Sequence, residues 1–340
     1  MKSIYRIVLL LSFVVATVRP ACAQEELDQL MNESIDDGRK LIGAYISPFM
    51  KSVSLGLNQG WYNTAKAHKI GGIDITVTAN AMTIPQSDLL FDVNKLNLEV
   101  IELDNNSPGY PFAPTLLGPD TEPTFRFTDQ ETGFSETWVG PGGVDLEENL
   151  GKNWVPVPMA NLGIGLPKGT DLKLRFTPTI DLGDESSLKI YGFGVMHDVK
   201  QWIPGIKLLP FDLSGFVGYT KLKLEAYFDP EANPDQRGIF EMNATTVQGV
   251  ISKKFSVLTL YGGLGYNIAK SNLAMKGTYD INEDGEASPN EIDPLDLKFA
   301  ASGFRTTAGF RLKLAVLTLH ADYTLQKYKC LTVGVGISVR

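Results

Sequence analysis

The chain has 340 residues, 43% of them hydrophobic and 21% charged, with a formal net charge of −8. So acidic a chain carries no electrostatic footprint for nucleic acid. Two cysteines exclude a disulfide scaffold, and length alone leaves one or two domains open.

Residues 1–23 read as a secretory signal peptide. Lys2 and Arg6 precede an apolar run from Ile7 to Val18, and "ACA" stands ahead of Gln24. The run is too short for a bilayer, which takes about 20 residues. Cys22 raises lipidation, but Arg19, Pro20 and Ala21 do not resemble a lipobox. Cleavage removes three basic residues and no acidic one, taking the charge from −8 to −11 and leaving Cys330 as the single cysteine.

Residues 25 to about 56 predict a helix, within an N-terminal unit of residues 24–70. Leu41, Ile42, Tyr45, Ile46, Phe49, Met50 and Val53 recur at helical spacing. Ser34 and Asp37 form a capping box, and Pro48 is expected to kink or split the helix. Two roles stay open: a packed N-terminal helix, or a plug in or under a barrel.

From Gly71 to the end, residues 71–340, the pattern is period two. Ile73, Ile75 and Val77 alternate with Asp74, Thr76 and Thr78; Leu172, Leu174 and Phe176 alternate with Lys173, Arg175 and Thr177. The last stretch, "LTVGVGISVR", sets Leu331, Val333, Val335, Ile337 and Val339 against Thr332, Gly334, Gly336 and Ser338. In "FDLSGFVGYTKLKLEAYF" the apolar face switches near Tyr219, as at a bulge. Residues 104–155 read as long loops with short strands such as "PTFRFTD" and "FSETWVG".

The connections fall into two alternating classes. Those at 167–170, 200–210, 252–256 and near Lys313 to Val316 are short, several of them basic; those at 180–187, 228–238 and 280–296 are mostly longer and acidic. The link at 324–330 joins the second class by position alone, being short and basic. This sorting fits an all-β, transmembrane antiparallel β-barrel of the outer membrane, with short turns in the periplasm and acidic loops outside. Alternate aliphatic residues would face lipid, and Arg175, Arg311 and Asp322 would face the lumen. Trp202, Phe211, Tyr227, Phe228, Tyr266 and Tyr328 are expected in interfacial girdles. About thirteen strands are legible, so an even number of fourteen is expected, with twelve as the alternative.

"GWYNTAKAHK" at 60–69, "HDVKQWIPGIKLLPFDLS" at 197–214 and the last 32 residues, from Gly309, resemble an uncharacterised Bacteroidota family of outer-membrane barrels. That family is loosely similar to the FadL-type (OmpP1/FadL/TodX) transporters of fatty acids and aromatic hydrocarbons, which have fourteen strands and an N-terminal hatch. No substrate residues carry over, and the C-terminal aromatic usual in proteobacterial barrels is absent at Arg340.

"DINEDGEASPNE" has the spacing of a calcium loop, with Asp280, Asn282, Asp284, Glu286 (through its carbonyl) and Glu291 as ligands. The flanks look like strands, so a solvated acidic hairpin tip is the plain alternative. His320 and Asp322 share an inward face, but no motif supplies a serine for hydrolysis, and three dispersed histidines make no transition-metal site. The expected function is a passive transporter or channel for small solutes, apolar ones included, with outer-membrane lipid as its surroundings. The alternative is a structural or adhesive barrel with a filled lumen and a loop stiffened by Ca2+. Neither is an enzyme, and neither needs a cofactor.

Overall fold

In the computed structural model the described residues are 34–128, 133–183, 186–227, 233–280, 289 and 291–339. The signal segment lies outside them. Helix α1 (Ile35–Gly56) begins at Ser34, whose hydroxyl accepts the Asp37 N–H at 3.2 Å. Pro48 neither splits nor ends α1, which is assigned as one helix of 22 residues. Residues 25–33, the expected first turns, lie outside the description.

After a thread of turns and irregular backbone comes β1 (Ile73–Thr83), then an excursion carrying β2 (Leu90–Asp92), β3 (Ile101–Leu103), β4 (Phe112–Pro114), β5 (Thr124–Thr128), β6 (Ser135–Val139) and a short α2 (Leu146–Leu150). Nine further strands follow: β7 (Trp154–Leu166), β8 (Thr170–Gly183), β9 (Ser186–Asp198), β10 (Asp212–Tyr227), β11 (Arg237–Phe255), β12 (Leu258–Lys276), β13 (Leu295–Leu314), β14 (Leu317–Leu325) and β15 (Cys330–Val339). β1 and β7 to β15 pair antiparallel in one closed barrel, with β1 between β7 and β15. Among the described residues ten strands close the barrel, where fourteen, with twelve as the alternative, were expected. The five short strands pair only among themselves, in sheets of two and three, and β10 to β13 reach 16–20 residues each. The two stretches "PTFRFTD" and "FSETWVG" are β5 and β6 of that excursion.

The two classes of connection sit at opposite ends of the barrel. Turns at Lys168, Ser256 and Ala315, all with positive φ, and the 200–211 loop share the end where β1 starts and β15 stops. The excursion and the long loops share the other end.

The barrel wall changes character along its length. At the short-turn end the outward residues are apolar: Ile73, Ile75 and Val77 on β1, Val333, Val335 and Ile337 on β15, and Phe304, Phe310 and Leu314 on β13 are exposed. Their neighbours Asp74, Thr76, Thr78, Arg305, Arg311 and Thr332 are buried. At the long-loop end the sides exchange. Lys221, Lys223 and Glu241 face out, with Lys221 Nζ 2.7 Å from Glu241 Oε1, while Leu222, Leu224, Met242, Leu273, Leu295 and Leu297 face in. The switch near Tyr219 is therefore not a bulge. β10 pairs with both neighbours without a register shift; the shifts fall between β8 and β9, at Thr177/Ile180 and Asp181/Gly183. A strand keeps its two faces, so a change in which face is apolar records a change in what surrounds the wall.

Outward aromatic residues gather where the switch occurs. Phe193 lies 5.6 Å from Tyr219 and Tyr266 lies 5.2 Å from Phe304, ring to ring. Of the aromatic residues expected in girdles, Trp202 and Tyr266 are exposed and Phe211 and Tyr227 half-buried. Tyr328 is fully buried, donating its hydroxyl to Asp88 Oδ2. Phe228 lies outside the described residues.

Candidate functional site

Among the described residues the N-terminal segment occupies the interior of the barrel and packs against its wall. Ile42, Ile46, Met50 and Val53 of α1 pack into one cluster with the inward side chains Val155, Val157, Met159, Leu188, Ile190, Met242 and Leu273. Each such side chain removed from water contributes about 1.5–3 kcal/mol. The long-loop half of the barrel thus has an ordinary hydrophobic core with α1 as its centre. At the outer end of α1, Asp37 is sealed and accepts the backbone N–H groups of Glu99, Val100 and Ile101 at 2.8–3.1 Å. This ties the excursion to the helix. Burial pushes the Asp37 carboxyl up, but those N–H groups and the Lys40 ammonium outweigh it, so its pKa is lowered.

Past Gly56 the chain leaves the helix through turns at Leu57 to Gln59 and continues as an irregular thread, with Leu57, Asn58, Gln59, Trp61, Tyr62 and Thr64 all buried. Exposed carbonyls of such a thread need donors in a closed interior. Two wall arginines supply them. Arg175 on β8 donates Nη1 to the Leu57 carbonyl at 2.5 Å, Nη2 to the Gln59 carbonyl, and Nε to Asn161 Oδ1 at 2.6 Å, while its guanidinium lies 3.6 Å over the Trp61 ring. Arg305 on β13 donates Nη1 to the Asn58 carbonyl at 2.9 Å and Nη2 to Gln59 Oε1 at 2.7 Å. Tyr62 then donates to Gln248 Oε1 at 2.5 Å, and Ser252 Oγ accepts the Ala65 N–H at 3.0 Å.

Nearest the short-turn rim, His68 Nδ1 is 2.8 Å from Asp171 Oδ2, and its Nε2 is 3.3 Å from Ser338 Oγ. The connectivity is that of a nucleophile relay. Ser338, however, is sealed, its N–H is given to the Val316 carbonyl, and its hydroxyl also takes a bond from Lys313 Nζ at 3.2 Å. The three residues fasten the end of the thread to the wall.

Arg175, Arg311 and Asp322 point inward as their parity required. His320 and Asp322 are both buried, but no serine joins them: Asp322 Oδ2 accepts from Tyr261 at 2.8 Å, and both His320 nitrogens lack a partner among the described residues. Arg305 shares its parity with Arg311 and was legible by counting back along the strand. The His68–Asp171–Ser338 contact joins three distant segments and has no local signal.

Of the expected calcium ligands, Asp280 is exposed and Glu291 is buried with its carbonyl accepting the Tyr279 N–H at 3.0 Å. Asn282, Asp284 and Glu286 lie outside the described residues. Among the described residues no cluster of His, Cys, Asp and Glu is arranged to hold a metal, and no helix is long and apolar enough to cross a membrane.

The chain is similar, at low identity and low TM-score, to several solved structures. Ail, the attachment invasion locus protein of Yersinia pestis, is 10% identical with a TM-score of 0.25 over 79% of this chain and 98% of that one. The translocator domain of the autotransporter NalP from Neisseria meningitidis is 10% identical with a TM-score of 0.30, covering 86% and 93%. A mutant of the monoaromatic hydrocarbon channel TodX is 10% identical at 0.24, covering 84% and 70%. No curated protein matches the sequence. Residues 1–339 match the family described as "Family of unknown function (DUF6588)", and the chain belongs to that family.

Proposed function

We propose that the protein is an outer-membrane β-barrel whose lumen is filled by its own N-terminal segment and which serves as a structural or adhesive platform at the cell surface. The apolar outward belt supports the membrane reading. On β13 it runs from Phe304 to Leu314, 11 residues, the length a tilted strand needs to cross a hydrocarbon core. Beyond the belt the wall is coated with ions and cored with apolar side chains, as a soluble domain is. That half would stand outside the cell, presenting the long acidic loops.

One observation carries the filled-lumen reading: α1 is the hydrophobic centre of the outward half, so its departure would cost that half its core. The intact protein reconstituted in planar bilayers should show no conductance above leak, and removal of residues 34–56 should abolish the folded, heat-modifiable band on a gel. A stable conductance from the intact chain, or a folded conducting barrel after the deletion, contradicts this reading.

A second reading, passive passage of small solutes past a yielding segment, is favoured by one feature. The belt half of the lumen is polar and holds buried groups without partners, including both His320 nitrogens. That reading expects conductance in the intact chain that rises after the deletion.

A further inference from the structure

Four neighbouring strands of the belt half carry a set of inward polar side chains that the fold buries and does not satisfy. Among the described residues Arg311 Nε and Nη2, both His320 ring nitrogens, Thr318 Oγ1 and Asp74 Oδ2 have no hydrogen-bond partner. All four residues are at least nine-tenths buried. The register makes them one patch. Arg311 is paired with His320, which is paired with Gly334; Lys313 is paired with Thr318, which is paired with Gly336; Ser338 is paired with Asp74.

The glycines make room for the side chains of this patch. A Cβ on Gly334 would lie 2.2 Å from His320 Cε1, and one on Gly336 would lie 2.6 Å from Thr76 Oγ1 and 3.0 Å from Thr318 Oγ1. Neither glycine has a positive φ, so their value here is space. They let the imidazole and the threonine hydroxyls lie flat along the wall.

We propose that this patch is a binding site for a small oxyanion, a carboxylate or a phosphate. The contrast with the other luminal arginines argues for it. Arg175 spends its donors on the thread's carbonyls and on neighbouring side chains, and Arg305 does so with both Nη groups and leaves only Nε unused, whereas Arg311 presents two free donors along one edge of its planar group. Such a fork matches an oxyanion by two parallel bonds. Three cationic side chains, Arg311, Lys313 and the buried Lys173, stand with three carboxylates, Asp74, Asp171 and Asp322; Asp171 is engaged by His68 and Asp322 by Tyr261, which leaves Arg311 with no carboxylate in contact. No ion pair joins Asp74 to Arg311 among the described residues, so Asp74 lies within electrostatic reach of the guanidinium without neutralising it by contact. Water would satisfy the free polar atoms but not the charge. A cation does not fit, since the acidic and imidazole groups here make no ligand set. Lys313, half-exposed at the short-turn rim, marks the way in. The site stands whether or not a solute crosses the barrel.

The test is calorimetric titration of the full mature chain, folded in detergent, with sodium phosphate and separately with sodium acetate, at ionic strength held constant with chloride. Saturable binding of at least one oxyanion is expected, and the arm that binds names the source. Arg311→Gln should weaken it at least tenfold, and Arg311→Lys, which keeps the charge without the fork, should also weaken it. Both variants are checked for the folded, heat-modifiable band; if Arg311→Gln does not fold, Thr318→Val and His320→Gln should each weaken the same binding. Heat no greater than the chloride control for both anions, or unchanged affinity in the folded variants, overturns the proposal.

Discussion

Asp37 shows how one residue can join two parts of a fold. It is the third residue of α1, it is fully enclosed, and three consecutive N–H groups of the excursion converge on its carboxylate. Hydrogen bonds to a charged group contribute about 1.5–3 kcal/mol. Asp37→Asn should destabilise the protein by that order, read as a lower urea midpoint. Because the folded pKa is lowered, this stabilisation is fully present above the ordinary value of 3.8 and is lost as pH falls through the lowered one. The variant's urea midpoint should therefore differ from the parent's at neutral pH and converge with it in strong acid. Arg175 performs the same service for the thread. Arg175→Met leaves the Leu57 carbonyl and Asn161 Oδ1 buried without this donor, and should cost about 3 kcal/mol. An unchanged midpoint would mean that the thread is held elsewhere. Gly334→Ala forces a methyl into the His320 ring, an overpacking of about 1–3 kcal/mol, and His320→Ala in the same chain should restore most of the loss.

At the scale of elements, β10 to β13 explain both what the sequence disclosed and what it hid. Parity was legible, so the inward places of Arg311 on β13 and of Asp322 on the neighbouring β14 followed directly. The length of β10 to β13 was not, because each strand passes from an apolar belt to a polar coat and its hydrophobic face changes side midway. A reader expecting one apolar face sees two short strands or a bulge where the structure has one strand of up to 20 residues. That, with the five short strands of the excursion, inflated the strand number. The helix was legible from its stripe and its Ser34 cap, whereas its continuity through Pro48 was not. The bonds of Arg175 and Arg305 to the thread below it depend on which wall residues the thread passes, which no periodicity encodes. The 280–291 loop yields a prediction at this scale: titration with calcium should release a specific heat that Asp284→Ala and Glu291→Ala abolish. No specific heat in the parent would leave the loop a solvated hairpin tip.

The molecule as a whole is one closed sheet whose outward face is apolar over one half and charged over the other, with the N-terminal segment supplying a hydrophobic core to the charged half and hydrogen-bond partners to part of the polar interior of the other. The His68–Asp171–Ser338 contact belongs to this role, and we propose that the protein is not an enzyme. Fluorophosphonate reagents should then fail to label Ser338, and labelling lost in His68→Ala would contradict it. The most direct measurement is a nitroxide scan of residues 331–338, one label at a time, on the chain reconstituted in liposomes. Oxygen accessibility should be high at 331, 333, 335 and 337, low at the positions between, and accompanied by exclusion of a water-soluble relaxant from the odd positions. A scan with no alternation, or with odd positions open to the water-soluble reagent, would show that this belt does not meet lipid.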